Sequence, residues 1–219
     1  AVELLARLRV EAERQPDPSC LAFTRAFDED LYDWELHHFR EYGLEIWSGR
    51  KPQNAEREAL NGHFRQLARQ LAALPRGFTH RDYQSRNLMV TDGELVLIDF
   101  QDALQAPRQY DLVALLRDSY VELDRGFVDG MLDVYIEAFA RAGGEKIAPA
   151  PFKQVFDLLT VQRKLKDAGR FEFIHRVKGN PGFLVSIPAS LRYVKAALDR
   201  LPELGGLRRI IAGYVPELA

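Results

Sequence analysis

Apolar residues return at helical intervals along most of the chain. Val2, Leu5 and Leu8, with Leu4 beside them, predict a helix over residues 1–14, broken by Gln15-Pro16-Asp17-Pro18-Ser19. Phe23, Phe27, Leu31 and Trp34 recur at spacings of four, four and three and predict a second. Leu60, Phe64, Leu67, Leu71 and Leu74 form a stripe that predicts a third, stopped at Pro75, which has no N–H with which to continue a helix. The period then changes. Leu88-Met89-Val90 and Leu95-Val96-Leu97-Ile98 are short apolar runs on either side of Thr91-Asp92-Gly93-Glu94. An Asp-Gly pair between two such runs predicts a β-hairpin, because glycine accepts the positive φ that the tight turn needs. Helical spacing resumes from Tyr110, over residues 111–120, 127–141, 152–166 and 183–201. The expected fold is mainly α, with a small β-hairpin about two-fifths of the way along and no internal repeat.

Composition narrows the function classes. The 219 residues carry a formal net charge of −2, so no basic excess exists to neutralise the phosphates of a nucleic acid. No apolar run approaches the roughly 20 residues that span a bilayer. Cys20 is the single cysteine, which excludes an internal disulfide and fits a reducing cytoplasm. One cysteine and 5 histidines also argue against a structural zinc site.

The chemistry lies around the hairpin. His80-Arg81-Asp82-Tyr83-Gln84-Ser85-Arg86-Asn87 leads into it, and Ile98-Asp99-Phe100 leaves it. With the turn centred on Asp92-Gly93, antiparallel pairing sets Asn87 opposite Ile98 or Asp99. An amide oxygen and a carboxylate then meet at one end of the hairpin, with Asp82 in the loop that feeds it. Three oxygen-bearing side chains suit Mg²⁺ carried in on a nucleotide. Phosphoryl transfer asks a protein for a group that orients or deprotonates the acceptor hydroxyl, and for ligands to metal that neutralises phosphate charge. Asp82 is the candidate for the first role; Asn87 and Asp99 are the candidates for the second, as metal and cofactor ligands. The order His-x-Asp-x4-Asn, hairpin, Ile-Asp-Phe is the form this solution takes in protein-kinase-like enzymes. Its first element alone arises by chance in roughly one such chain in a hundred or fewer.

Each residue also has a plainer job open to it. Asp82 and Asp99 serve as turn residues, and Asn87 as a strand-entry cap, in many proteins; the shared spacing is what favours chemistry. His80 reads as a packing and backbone-bonding residue rather than a proton carrier. Arg81 and Arg86 either stabilise phosphate charge or brace the loop, and bracing is favoured. Asp102 is equally a further ligand or a solvated turn carboxylate. Asp111 precedes an apolar helix, where capping is the default.

The segment from His80 to Asn87, with Asp99, resembles the aminoglycoside phosphotransferase and choline kinase superfamily, which shares its fold with protein kinases. Longer runs sharpen the resemblance. Thr79 to Val90, Ile98-Asp99-Phe100-Gln101-Asp102-Ala103 and Tyr110 to Asp118 look like the bacterial anomeric sugar kinases of cell-wall recycling. Those enzymes phosphorylate N-acetylmuramate and N-acetylglucosamine at the anomeric hydroxyl. Gln162-Arg163-Lys164-Leu165-Lys166 and Gly179-Asn180-Pro181-Gly182-Phe183-Leu184 are similar to their C-terminal helices, so the resemblance covers most of residues 20–200. It implies ATP and Mg²⁺, with Asp82 as catalytic base, Asn87 and Asp99 as Mg²⁺ ligands and Asp111 holding the catalytic loop in shape. Gln101 departs from the glycine that protein kinases carry after Asp-Phe. The short stretch before Tyr110 leaves no room for a long regulatory loop or a peptide platform, so a small-molecule acceptor follows.

On this reading residues 1–219 are the helical C-terminal lobe of a kinase-like phosphotransferase, with the catalytic loop and metal-binding hairpin at 79–102. No glycine-rich loop and no Val-Ala-Ile-Lys-like strand stands before His80, and the sequence opens at Ala1 inside a predicted helix. The expectation is that a small N-terminal lobe of the same gene product, roughly a hundred residues, is missing through proteolysis or truncation, and that this chain alone is inactive. The expected partners are a small sugar and a nucleotide, with no nucleic acid and no membrane. Two other classes remain in play. One is a kinase-like binding module without turnover. The other is a metal-dependent hydrolase using Asp82, Asp99 and His80, which would need more metal ligands than this chain offers. Other acceptors, such as an aminoglycoside, choline or homoserine, are also open. Gln162, Arg163, Lys166, His175 and Arg176 lie where an acceptor would be read, and a solvated charged face is the favoured account of most of them.

Overall fold

The computed structural model describes residues 1–219. Helices α1 (Val2–Arg14), α2 (Leu21–Thr24), α3 (Glu29–Phe39) and α4 (Asn54–Ala72) precede strands β1 (Gly77–Thr79), β2 (Leu88–Thr91), β3 (Glu94–Leu97) and β4 (Leu104–Ala106). Helices α5 (Gln109–Leu116), α6 (Arg125–Arg141), α7 (Pro149–Lys178), α8 (Ile187–Leu198) and α9 (Gly205–Ala212) follow. The fold is mainly helical and the predicted hairpin forms, as β2 and β3. The chain divides into two compact units, Ala1–Phe27 with Leu74–Phe156, and Asp28–Ala73 with Asp157–Ala219.

In the first unit, α1 buries Val2, Leu5, Ala6, Arg9 and Val10, the single face that a period of 3.6 residues creates. That face packs on α6, which turns Val128, Leu132, Tyr135 and Phe139 inward. A second antiparallel pair, β1 with β4, was not foreseen; Gly77, Phe78 and Thr79 sit opposite Ala106, Gln105 and Leu104. Arg9 explains why so short a ladder holds. Its guanidinium is buried, paired with Glu13, and donates to the carbonyls of Phe78 at 2.7 Å and Ala106 at 3.1 Å. The outer edge of β4 is covered too, by Phe27 N–H donating to Gln105 O at 2.8 Å and Gln105 N–H to Arg25 O at 2.9 Å. Those two bonds break the helix expected across Phe23 to Trp34. The chain is extended at Arg25, and α3 starts afresh with Asp28 as its cap, accepting from Leu31 N–H at 2.9 Å.

In the second unit α3 packs on α4, whose Leu60, Phe64, Leu67 and Leu71 are buried as the stripe predicted. Residues 40–46 continue α3 as a π-helical turn. Gly169 lets α7 approach α3 closely, since a Cβ there would lie 2.7 Å from the Phe39 Cα. The helix expected over residues 183–201 begins as a 3-10 turn, Pro181–Ser186, and becomes α8 at Ile187, with proline held in the first turn, where its missing N–H costs nothing.

The polar residues of α7 correct one expectation. Gln162 and Arg163 are buried rather than solvated. Gln162 Nε2 donates to Glu35 Oε2 at 2.8 Å, because a buried amide needs a partner. Beside them Asp167 lies between Lys164 Nζ at 2.8 Å and Lys166 Nζ at 2.9 Å. Burial pushes the Asp167 carboxyl up, but the charges of Lys164, Lys166 and Arg163 outweigh it and hold the group well below the usual carboxylate range. A carboxyl depressed in the folded state adds stability above its unfolded value, near 4, that is lost as pH falls toward the folded value. The urea midpoint is therefore expected to drop between about pH 5 and about pH 3, and Asp167→Asn to start lower and flatten that slope. An unchanged slope would remove Asp167 as the acid-sensitive group.

Candidate active site

The β1–β4 ladder positions the site. Residues 80–87 leave the end of β1 and residues 98–103 run into the facing end of β4, so both loops spring from one end of one ladder. The β2–β3 hairpin grows between them, with Leu88 opposite Leu97 and Thr91 opposite Glu94. Its turn has φ of 53° at Asp92 and 82° at Gly93, the two positive angles of a type I′ turn. Ile98 N–H donates to Asn87 O at 3.1 Å, which makes Ile98 the residue opposite Asn87.

Asn87 links the other two predicted residues, touching the main chain of Asp82 and the side chain of Asp99. Its Nδ2 donates to the Asp82 carbonyl at 2.9 Å and reaches Asp99 Oδ2 at 3.3 Å. A carbonyl can only accept, so the amide nitrogen is fixed toward the loop and the amide oxygen is turned away from it. Asp99 stands exposed, and its other oxygen accepts from Gln101 Nε2 at 3.0 Å. Asp82 is half-buried, with Gln84 Nε2 at 3.5 Å from its Oδ1.

Around these three the loop is held hard. Asp111, in the first turn of α5, accepts His80 N–H at 2.7 Å and Arg81 N–H at 2.9 Å. Arg81 needs that hold, because its φ of 75° lies in the left-handed region that L-residues avoid. Asp99 shares the same unusual backbone, with φ 68°. Strained residues persist only where their surroundings over-determine them, and such places cluster at active sites. His80 is fully buried and its Nε2 lies 3.1 Å from Ile98 O. A carbonyl only accepts, so Nε2 is the donor in that contact, which ties the loop to the exit of the hairpin. Tyr83 is buried as well and donates to Ala1 O at 2.8 Å; burial first, and then the Asp111 carboxylate, raise its phenol and keep it protonated.

The remaining predicted residues sit at the margin. Asp102 lies 3.8 Å from Arg81 Nη1. The Arg86 guanidinium lies 3.5 Å from the centroid of the Tyr120 ring. Two further residues touch this site and escaped the sequence reading. Gln101 orients Asp99, and Asp118 binds Ser85 through its main-chain N–H at 2.9 Å and its hydroxyl at 2.5 Å. Gln101 stands in the sequence as a departure from glycine, and Asp118 as the last residue of the Tyr110 to Asp118 run with no role of its own.

The donor set suits a hard cation only in part. Asp99 offers a carboxylate and Asn87 an amide oxygen, both oxygen donors of the type Mg²⁺ prefers. No group of three or more His, Cys, Asp and Glu side chains is arranged to hold a metal. An ion here would therefore draw most of its ligands from a bound nucleotide and water, the arrangement in which Mg²⁺ keeps one or two protein ligands. No helix is long and apolar enough to cross a membrane.

The sequence model of a phosphotransferase enzyme family matches residues 1–147, which contain every residue of the site. An N-acetylmuramate/N-acetylglucosamine kinase of Neisseria meningitidis is 34% identical over 191 residues, 86% of this chain and 57% of the relative. Enzymes of the same description from Pseudomonas aeruginosa and Pseudomonas putida are 33% and 31% identical, each over 85% of this chain and 56% of the relative. The chain thus spans little more than half the length of these curated relatives.

Proposed function

Because the chain belongs to the phosphotransferase enzyme family, we propose that it is the helical, catalytic-loop-bearing lobe of an ATP-dependent kinase acting on the anomeric hydroxyl of an amino sugar, N-acetylmuramate or N-acetylglucosamine. The observation that carries the reading is the Asn87 bridge between the Asp82 carbonyl and the Asp99 carboxylate. It supports a site in which the loop carrying the candidate base, Asp82, is tied at its main chain to the two candidate oxygen ligands at one end of the hairpin. The descriptions of the relatives support the amino-sugar acceptor. Asp82 orients the acceptor hydroxyl and takes its proton as the phosphorus–oxygen bond forms, while the leaving diphosphate departs on the opposite side. Mg²⁺, held by Asp99 and the Asn87 amide oxygen, would neutralise charge on the triphosphate. His80 and Asp111 keep the loop in its strained shape, and Arg86 and Asp102 brace its flanks.

The hairpin supports a second part of the proposal. It leaves Val90 73% and Phe100 68% exposed, with Met89, Val96 and Ile98 also open. Exposed apolar clusters of this kind mark surfaces that another body covers. In this reading that body is an N-terminal lobe of the same gene product, which also contributes to gripping the nucleotide, and the chain alone turns over little or nothing. The exposed thiol of Cys20 and the small soluble substrates fit a cytoplasmic enzyme.

The test is an assay of the full-length gene product with Mg²⁺ and ATP on N-acetylmuramate and N-acetylglucosamine. Choline, an aminoglycoside and homoserine serve as competing acceptors, and phosphorus NMR locates the new ester. An anomeric sugar phosphate is expected. Transfer to another acceptor would keep the kinase and discard the amino sugar. No transfer to any acceptor would leave a binding module in its place.

A further inference from the structure

We infer that Asp118 is a positioning residue for the metal-ligating end of the catalytic loop, holding Asn87 through Ser85; the inference rests on the phosphotransferase reading above. The argument starts from the short 3-10 turn Ser85–Asn87, which delivers Asn87 to the site. Such a turn leaves its first N–H groups without partners inside the turn, and its own flanking residue, Gln84, supplies no side-chain cap. The Asp118 carboxylate fills that place from a distant part of the chain. One oxygen, Oδ2, accepts both the Ser85 N–H at 2.9 Å and the Ser85 hydroxyl at 2.5 Å. Hydrogen bonds to an ionised acceptor are about twice as strong as neutral ones. Asp118 is only 3% exposed, while Ser85 lies at the surface, so the acceptor is the shielded partner of these bonds.

The second oxygen extends the hold. Oδ1 accepts the Tyr120 N–H at 3.1 Å, and the Tyr120 ring is the platform on which the Arg86 guanidinium stacks. Ser85 and Arg86, consecutive residues of the turn, are thus both referred to Asp118, one directly and one through Tyr120. Asn87 is the next residue, and its N–H closes the turn on Gln84 O at 3.0 Å. Asp111 and Asp118 therefore bracket the loop. The first fixes its start at His80 and Arg81, ahead of Asp82; the second fixes its end, ahead of Asn87. Asp111 sits in the first turn of α5 and Asp118 just past its last residue, which makes that helix the common reference for base and ligand.

A residue that orients a metal ligand characteristically changes metal affinity or activity by about 10–100-fold when altered. The test uses the full-length gene product with Asp118→Asn, which keeps the size and one acceptor oxygen, and Ser85→Ala, which deletes only the hydroxyl bond. Amide hydrogen exchange of residues 82–87 is read first, without substrates. Exchange at Ser85–Asn87 is expected to rise about tenfold in Asp118→Asn and less in Ser85→Ala, with the urea midpoint within experimental scatter for the latter. Turnover is then titrated with Mg²⁺. The half-saturating Mg²⁺ concentration is expected to rise about tenfold while KM for the acceptor stays within about twofold. Unchanged exchange at the turn would overturn the inference, as would an acceptor KM that rises in step with the Mg²⁺ requirement. Should the wild-type protein transfer phosphate to nothing, the kinase reading fails, and the exchange arm still decides whether Asp118 holds the turn.

Discussion

Asp82→Asn in the full-length gene product is expected to lower kcat by about 10²–10⁴-fold, with the melting temperature and nucleotide affinity close to wild type. The substitution is chosen because it isolates the proton. Asparagine has the same shape, its Oδ1 can still accept from Gln84 Nε2, and the main-chain carbonyl that holds Asn87 is untouched. The side chain is half-buried and no strained torsion belongs to it, since the left-handed residues are Arg81 and Asp99. What disappears is the capacity to accept a proton from the attacking hydroxyl of the proposed acceptor. If Asp82 only oriented that hydroxyl, the amide oxygen would still do so and the loss would stay near tenfold or less. The size of the fall thus separates a base from an orienting group. Steady-state kinetics in both substrates, with calorimetric nucleotide binding, gives the answer. Wild-type turnover in the variant would end the assignment of Asp82.

The parts of this chain that were legible in its sequence are those whose cause is local. The β2–β3 hairpin needed only Asp92-Gly93 and two flanking apolar runs, and counting back from that turn left Asn87 opposite Ile98 or Asp99, of which Ile98 is its partner. The stripe of α4 and the existence of α1 followed from helical period alone, though the buried face of α1 runs through Ala6, Arg9 and Val10 where Leu4 and Leu8 were expected. Where tertiary contacts decide, the pattern misled or was silent. Phe23, Phe27, Leu31 and Trp34 look like one helix face, yet Phe27 is fully buried and Trp34 is 60% exposed, because the edge of β4 captures the chain at Arg25 and Phe27. Strands β1 and β4 are three residues each and far apart in sequence, too short to show alternation, and they are held by Arg9, which a sequence reading would place in solvent. The burial of Gln162 has the same origin: a polar residue reads as exposed until its partner, here Glu35 from another helix, is seen. In the proposed site, Asp82, Asn87 and Asp99 could be singled out as candidates because spacing and chemistry coincide. Asp118 could not, because its contact with Ser85 exists only after α5 has packed.

Replacing Asp111 with alanine is expected to cost about 2–6 kcal/mol of stability and to abolish measurable turnover. The carboxylate is 3% exposed and accepts two main-chain N–H groups, those of His80 and Arg81. A buried donor left without a partner costs about 1–3 kcal/mol, and two are orphaned together. The position in the first turn of α5 adds a few tenths more, since a helix N-terminus favours negative charge. Against a total stability of about 5–15 kcal/mol this is a large fraction, but not all of it. The backbone makes the loss catalytic as well as structural. Arg81 is held at φ 75°, a conformation that costs about 1–2 kcal/mol, and the Asp111 bonds are what oppose its relaxation. Once they are gone, Arg81 is free to return to negative φ, which swings the following residue, Asp82, away from Asn87. Asp111→Asn should fall between the two, because one amide oxygen can accept one N–H while its NH₂ faces the other. Urea unfolding and kcat measured on the wild type and both variants test the ordering. If Asp111→Ala lost stability and kept its kcat per folded molecule, the carboxylate would be a core partner of the fold with no hold on the geometry of Asp82.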